Sequence, residues 1–423
     1  MISADEALRI VLDNTTRLGV ERVPILQGLG RVLAEEIRSP RDIPGFDNSA
    51  MDGYAVRSAD VASASESNPV RLEVIETVPA GKMPSMKVER GQAARTMTGA
   101  PIANGADAII QVEKTRSGAG GTVEILAAAE PRNFIRPRGE DLRHGEGVFS
   151  PGKTLAAADL GMLASLNRAM IEVYRRPRVA IVSTGDEIVE VDQPPTGAQV
   201  VNSNGYALAG AVLEAGGEPT ILKIARDTEG EIRERLAEAL TFDAMLSTGG
   251  VSVGQFDHVK SALDDLGLKQ LFHGVAQRPG KPLKFGTVGY RAVFGLPGNP
   301  VSTLVCFYLY ARAALRKMGG HQRLGLPRAQ VRCATDIKTA ANLTEFVRVT
   351  IARGEDGLVA TPTGAQGSGM LSSVSRADGL LIGPASETIL KAGTQAMVLL
   401  LGGTETVALD ESVGFEEPRR QKY

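Results

Sequence analysis

The 423-residue sequence has no tryptophan, and aromatic residues make up only 4% of it. A surface that stacks successive bases is poorly supplied, which argues against single-stranded nucleic-acid binding. An excess of either charge is also missing: 47 Lys and Arg stand against 49 Asp and Glu, for a formal net charge of −2. No global basic field draws the chain to nucleic acid or an anionic membrane, so an anionic ligand must be met by a local cluster. No stretch reaches 18 uninterrupted apolar residues, and the opening MISADEALRIVLDNTTRLG lacks a basic region followed by an apolar one. Neither a membrane span nor a secretory signal is expected. Two cysteines do not make a disulfide framework, and a reducing cytoplasm fits. Cys306 lies in the apolar run 301–315 and reads as a buried helix residue. Four histidines, at 144, 258, 273 and 321, lie far apart without ligand spacing. Zinc and haem are not expected, and any metal should be a hard ion bound by oxygen.

What is present is ordinary globular material, 43% hydrophobic and 23% charged, with 48 Gly and 22 Pro to make tight turns. The length suggests about two to four domains. Ser3 followed by Glu6 is a capping box, and Ala7, Leu8, Val11, Leu12 and Thr15 mark one helical face. A short helical stretch is expected at 29–37. Between residues 46 and 135, strand-like segments at 70–78, 92–97, 108–112 and 122–125 alternate with Gly/Pro turns, indicating an inserted β-rich domain. A helix at 157–166 could pack with the N-terminal segment, making 1–45 plus 136–173 one discontinuous helical and extended domain. From 174 to 325, strands at 178–183, 218–224, 242–247 and 291–295 alternate with helices at 204–215, 229–239, 259–266 and 301–318. That alternation predicts a doubly wound, parallel α/β domain. Residues 326–410 hold only short strands and read as a small β-barrel or sandwich, with 411–423 a charged tail.

Chemistry is expected at the strand ends of the α/β domain, because open parallel sheets bind ligands outside their carboxyl edges. Two strands end alike, in Ser183-Thr184-Gly185-Asp186-Glu187 and Ser247-Thr248-Gly249-Gly250-Val251-Ser252. Small residues there let backbone N–H groups approach an anion. A third strand runs into Gly295-Leu296-Pro297-Gly298-Asn299-Pro300-Val301-Ser302, where Asn299 is placed to cap a helix and Pro300 suits its first turn. Shortly before it, Arg278-Pro279-Gly280-Lys281-Pro282 holds two cations on a stiff backbone. Asp186, Glu187, Asp227 and Asp257 follow the same turns and could hold Mg²⁺ beside a phosphate. Asp47 and Asp52, in FDNSAMDGY, read as an Asx-type turn. The residues alone thus point to a phosphorylated or oxyanionic ligand.

The segments FDNSAMDGYAV (46–56), MTGAPIANGADAII (97–110), RPRGEDL (136–142), STGDE (183–187), STGGVSVGQFD (247–257), RPGKP (278–282), GLPGNPVS (295–302) and QGSGMLSSVSRADGLL (366–381) resemble, in order, those of the molybdopterin molybdenumtransferases, and equally the E domain of gephyrin-type proteins. The resemblance implies a four-domain subunit forming a homodimer, with an α/β domain like that of pterin adenylyltransferases. The active cleft would lie between that domain and the 46–135 domain of the second subunit. The implied substrates are adenylylated molybdopterin and molybdate, and the implied reaction is Mg²⁺-dependent, releasing AMP. A pterin adenylyltransferase and acceptor molybdoenzymes are further implied partners. Carried over by position, Asp257 matches the essential carboxylate near metal and nucleotide; Glu187 and Asp227 are further acids that suit the Mg²⁺. Lys281, Pro282 and Ser302 match molybdate-contacting positions; the charge of Arg278 suits the same oxyanion, and the turn with Gly249, Gly250 and Ser252 suits the adenylyl phosphates. Asp52, Thr98 and Asp141 match the second-subunit side, and Arg348 and Ser368 a secondary oxyanion site. Relatives often carry Lys where Arg278 stands, which keeps the charge and changes the hydrogen-bond geometry. Two other readings share the fold. A pterin adenylyltransferase would read Gly-Gly-Thr-Gly where Gly249-Gly250-Val251-Ser252 stands, and a clustering scaffold would have lost the chemistry.

Overall fold

The structure, a computed structural model, describes residues 1–249 and 256–402, with only the backbone of Phe256 and Asp257. The chain forms two compact units: one holds Met1–Ala34, Pro151–Leu160 and the described residues from Met170 onward, the other Glu35–Ser150 and Gly161–Ala169.

The second unit is built on a six-stranded sheet in the order 108–111, 53–56, 92–96, 70–78, 122–125, 115–117. The strand Gly53–Val56 was not expected; its segment reads as a turn. All four of its residues are buried, Tyr54 and Val56 on one face and Ala55 on the other, so no polar alternation marks it. Gly53 is obligatory there, because a Cβ would lie 1.9 Å from the Ile110 carbonyl oxygen.

The first unit opens with the helix Ala4–Asp13, whose Glu6 N–H donates to Ser3 Oγ at 3.1 Å. Ala7 and Val11 are its buried positions. The helix expected at 29–37 does not form. One 3-10 turn, Ile25–Gly28, gives way to extended chain in which Val32 and Leu33 bridge Thr154 and Val173. Gly30 adopts φ 72°, a left-handed conformation that interrupts a right-handed helix there.

The α/β sheet has the order 218–221, 178–183, 244–248, 291–296, 284–288, 269–273. The first four strands are parallel, as expected, but Lys284–Val288 runs antiparallel to both its neighbours, so the sheet is mixed. The cause is local: Gly289 (φ 60°) turns Lys284–Val288 tightly back into Arg291–Leu296. Helices cover both faces. Val179, Ile181, Leu246 and Phe294 pack against Leu208 and Val305; Ala180, Val182, Met245 and Val293 pack against Ile232, Leu236 and Ala262. Burial on both faces explains the continuous apolar runs. Each buried Leu, Val or Phe contributes about 1.5–3 kcal/mol. The last helix runs from Pro300 to Met318, but Phe307–Ala311 is a π turn within it.

Five strands after residue 327 close into a barrel: 344–354, 357–362, 328–333, 395–400 and 379–383, the last pairing back to the first. Closure removes open edges. The two-residue strand Gln277–Arg278 adds to this sheet beside Thr344 and Glu345. A short helix, Leu371–Ser375, was not expected.

His321 sits where the Pro300–Met318 helix ends. Its Nδ1 lies 3.2 Å from Arg316 Nη2, which can only donate, so Nδ1 accepts and the neutral ring carries its proton on Nε2. Burial, aided by Arg316 and Arg312, pushes its pKa from 6.5 to about 4. The folded value lies below the unfolded one, so this group's stabilisation is present above pH 6.5 and lost as pH falls toward 4. His321→Gln should therefore flatten the fall of the urea midpoint between pH 7 and 5; parallel slopes for variant and wild type would contradict it.

Candidate functional site

Three neighbouring parallel strands, Arg178–Ser183, Ala244–Thr248 and Arg291–Leu296, end side by side in turns containing Gly185, Gly249 and Gly298. Gly185 (φ 144°) and Gly249 (φ 92°) hold left-handed backbone. A Cβ on Gly249 would meet the Thr184 carbonyl oxygen at 2.6 Å, and one on Gly298 would meet Gly249 Cα at 3.7 Å. The Gly249 turn lies against the Thr184 backbone because glycine leaves nothing between them, and Gly298 packs beside it. The helix Ser203–Glu214 closes the same space. Asn202 caps it by accepting from Gly205 N–H, and also accepts from Ser183 Oγ at 2.9 Å. Asn204 Nδ2 donates to Thr248 Oγ1 at 2.9 Å and to the Gly298 carbonyl at 2.7 Å, tying all three elements together.

Ser183, Glu187, Asn202, Asn204, Thr248 and Gly249 line one pocket there. Two buried polar atoms beside it, Thr184 Oγ1 and Asn202 Nδ2, have no hydrogen-bond partner among the described residues. Such atoms normally find one, and a polar ligand would supply it. Asp186 and Asp227 accept each other's backbone N–H, at 3.2 and 3.4 Å. Glu187 folds over Gly185, where a Cβ would lie 2.5 Å from a carboxylate oxygen. Among the described residues no three acids, histidines or cysteines form a metal-holding group. One carboxylate with hydroxyl and amide oxygens nonetheless suits Mg²⁺, which needs one or two carboxylates plus substrate phosphate. Gly250, Ser252 and the side chain of Asp257 lie outside the described residues.

A second cleft in the same unit gathers Arg278, Lys281, Pro282, Ser302 and Ser368. The short strand Gln277–Arg278 delivers the first residues; the helix after Pro300 delivers Ser302. Asn299 stands at the cap of that helix without a side-chain bond, and the Val301 N–H donates to the Ser368 carbonyl. Arg278 pairs with Glu345 at 3.7 Å. Arg348 does not line the cleft. It is 1% exposed, and its guanidinium donates to Ser373 Oγ and the Gly367 carbonyl, while Gln366 bonds both its backbone N–H and C=O. It fixes the loop that carries Ser368.

In the other unit, Asp52 and Thr98 come together: one Asp52 oxygen accepts from Thr98 N–H at 2.7 Å and Thr98 Oγ1 at 2.8 Å. Those bonds hold the Asp52 carboxyl below its usual pKa, so it is ionised. Asp141 is exposed, and no hydrogen bond joins its side chain to this pair among the described residues.

Three family models cover most of the chain: the MoeA N-terminal region (domain I and II) at 2–167, a probable molybdopterin-binding domain at 180–317, and the MoeA C-terminal region (domain IV) at 330–401. A molybdopterin molybdenumtransferase from Nostoc is 37% identical over 90% of this chain and 88% of its own, and one from Bacillus subtilis 32% identical over 95% and 94%. This chain belongs to the molybdopterin molybdenumtransferase family. It is a transferase of that family. Two solved structures of a molybdopterin biosynthesis MoeA protein from Pyrococcus horikoshii match with TM-scores of 0.81 and 0.79, at 34% and 32% identity, over 95% of this chain and 99% and 100% of theirs.

Asn202 and Asn204 escaped the sequence reading, although Asn202-Ser203-Asn204-Gly205 before a helix is a recognisable capping signal. For this family member, Gly249→Ala should cost about 1–3 kcal/mol, since the added methyl strains a left-handed residue against a carbonyl. Urea unfolding measures this, and an unchanged midpoint would refute the contact.

Proposed function

We propose that the protein inserts molybdenum from molybdate into adenylylated molybdopterin, releasing AMP and giving molybdenum cofactor, with Mg²⁺ and as a cytoplasmic homodimer. Acceptor molybdoenzymes and a pterin adenylyltransferase are its proposed partners. The observation that carries the reading is the gathering of Arg278, Lys281, Ser302 and Ser368 at one cleft of the unit that also holds the glycine turns. An oxyanion needs cations and hydroxyl donors; phosphates need close backbone and small polar side chains. The residues fit this division. Lys281 and Arg278 would hold molybdate, with Ser302 and Ser368 donating to its oxygens. Ser183, Asn204, Thr248 and Gly249 would hold the phosphates. Glu187, with Asp227 and Asp257, would hold Mg²⁺, which when bound neutralises charge developing on the anhydride. Asp52, ionised and fixed by Thr98, would orient a polar group of the substrate.

The test is AMP release from adenylylated molybdopterin and Mg²⁺, with and without molybdate. Release that depends on molybdate, with product able to reconstitute a molybdoenzyme, is expected. No AMP under any condition from a folded protein would overturn the reading in favour of a scaffold. Lys281→Ala should weaken molybdate binding at least about tenfold, the value of a charge-assisted hydrogen bond, at an unchanged melting temperature. Unchanged affinity in a direct titration would remove Lys281 from the site.

A further inference from the structure

The loop that carries Arg278 and Lys281 turns its carbonyls inward. The Pro279 carbonyl accepts from Gln277 Nε2 at 3.0 Å, that of Gly280 from Leu283 N–H at 3.2 Å and Cys306 Sγ at 3.5 Å, and that of Lys281 from Val275 N–H at 2.9 Å. The N–H groups of Gly280 and Lys281 donate to no acceptor among the described residues. Pro279 and Pro282 have no N–H to offer. The negative ends of three successive peptides are thus bonded within the protein, and the two N–H groups are left for a ligand at the cleft that the loop lines, a backbone nest for an anion.

Gln277 is completely buried and belongs to no charge cluster. A carbonyl oxygen only accepts, so the side-chain atom facing Pro279 is the NH₂ group, and Oε1 faces Tyr310, whose O–H donates to it. Burial raises the Tyr310 pKa, which keeps that donor protonated. Tyr310 lies within the π turn. Residues four apart drift about 40° around an α-helix. The π turn is wider and takes back part of that drift, so Ser302, Cys306 and Tyr310 can all meet the one loop. Gly280 is pressed onto this stripe: a Cβ would lie 2.4 Å from Cys306 Sγ and 2.7 Å from Gln277 Nε2.

We infer that Gln277, oriented by Tyr310, is a positioning residue that locks the 278–282 loop with its amides outward and so sets affinity for a tetrahedral oxyanion. Without this latch the Pro279 carbonyl is free to turn toward the anion and repel it. The inference rests on the proposed oxyanion site.

The test is titration of molybdate alone into the full-length protein and into Tyr310→Phe and Gln277→Met, with the melting temperature of each. Val331→Ala, in the barrel core, serves as a control for destabilisation. Tyr310→Phe removes only the O–H and should weaken binding about fivefold, and Gln277→Met about tenfold or more, as expected for one and two lost hydrogen bonds. In turnover both should raise the molybdate KM and leave kcat at saturating molybdate unchanged. Val331→Ala should melt lower and bind as wild type. If Gln277→Met does not fold, Tyr310→Phe decides. Wild-type affinity in folded variants, or equal weakening in the control, overturns the latch alone. A wild-type protein that binds no molybdate overturns the oxyanion site and the latch together.

Discussion

The strand-end pocket depends on one steric fact: the turns after three adjacent strands touch backbone to backbone. Gly249 can sit against the Thr184 carbonyl only because no Cβ stands between them, and Gly298 packs beside Gly249. That contact lets one side chain, Asn204, reach both the Thr248 hydroxyl and the Gly298 carbonyl. Beside it, Thr184 Oγ1 and Asn202 Nδ2 have no hydrogen-bond partner among the described residues.

The two clefts of this unit are lined by different chemistry. The strand-end pocket uses neutral donors: hydroxyls, amides and backbone. The other presents Arg278 and Lys281 on a loop whose carbonyls point inward. A chain with a formal net charge of −2 can do this because the field that matters is local, and charges more than about 8 Å apart are screened at physiological salt. Arg348 serves the same cleft indirectly, its buried charge spent on the loop that presents Ser368.

Much of this was legible in the sequence. Helix starts with side-chain caps, such as Ser3, and two-sided apolar strands, such as Ala244–Thr248, carry patterns with a direct physical cause. Gly53–Val56 was hidden because burial on both faces leaves no alternation, and the mixed end of the sheet because a tight turn at Gly289 resembles any loop. The stretch at 29–37 misled by composition, where the left-handed Gly30 outweighs helix propensity. At the site, charged residues in stiff loops announced themselves. Gln277 and Tyr310 did not, since a neutral amide and a phenol gain meaning only when folding places them under the loop.

The most direct measurement is a crystal structure of the protein grown with AMP, Mg²⁺ and tungstate, using tungsten's anomalous signal. The account predicts a tungsten peak within hydrogen-bond reach of the Gly280 and Lys281 amides and of Ser302, with the AMP phosphate among Ser183, Asn204 and Gly249. A tungsten peak away from the 278–282 loop, with phosphate density away from the glycine turns, would contradict it.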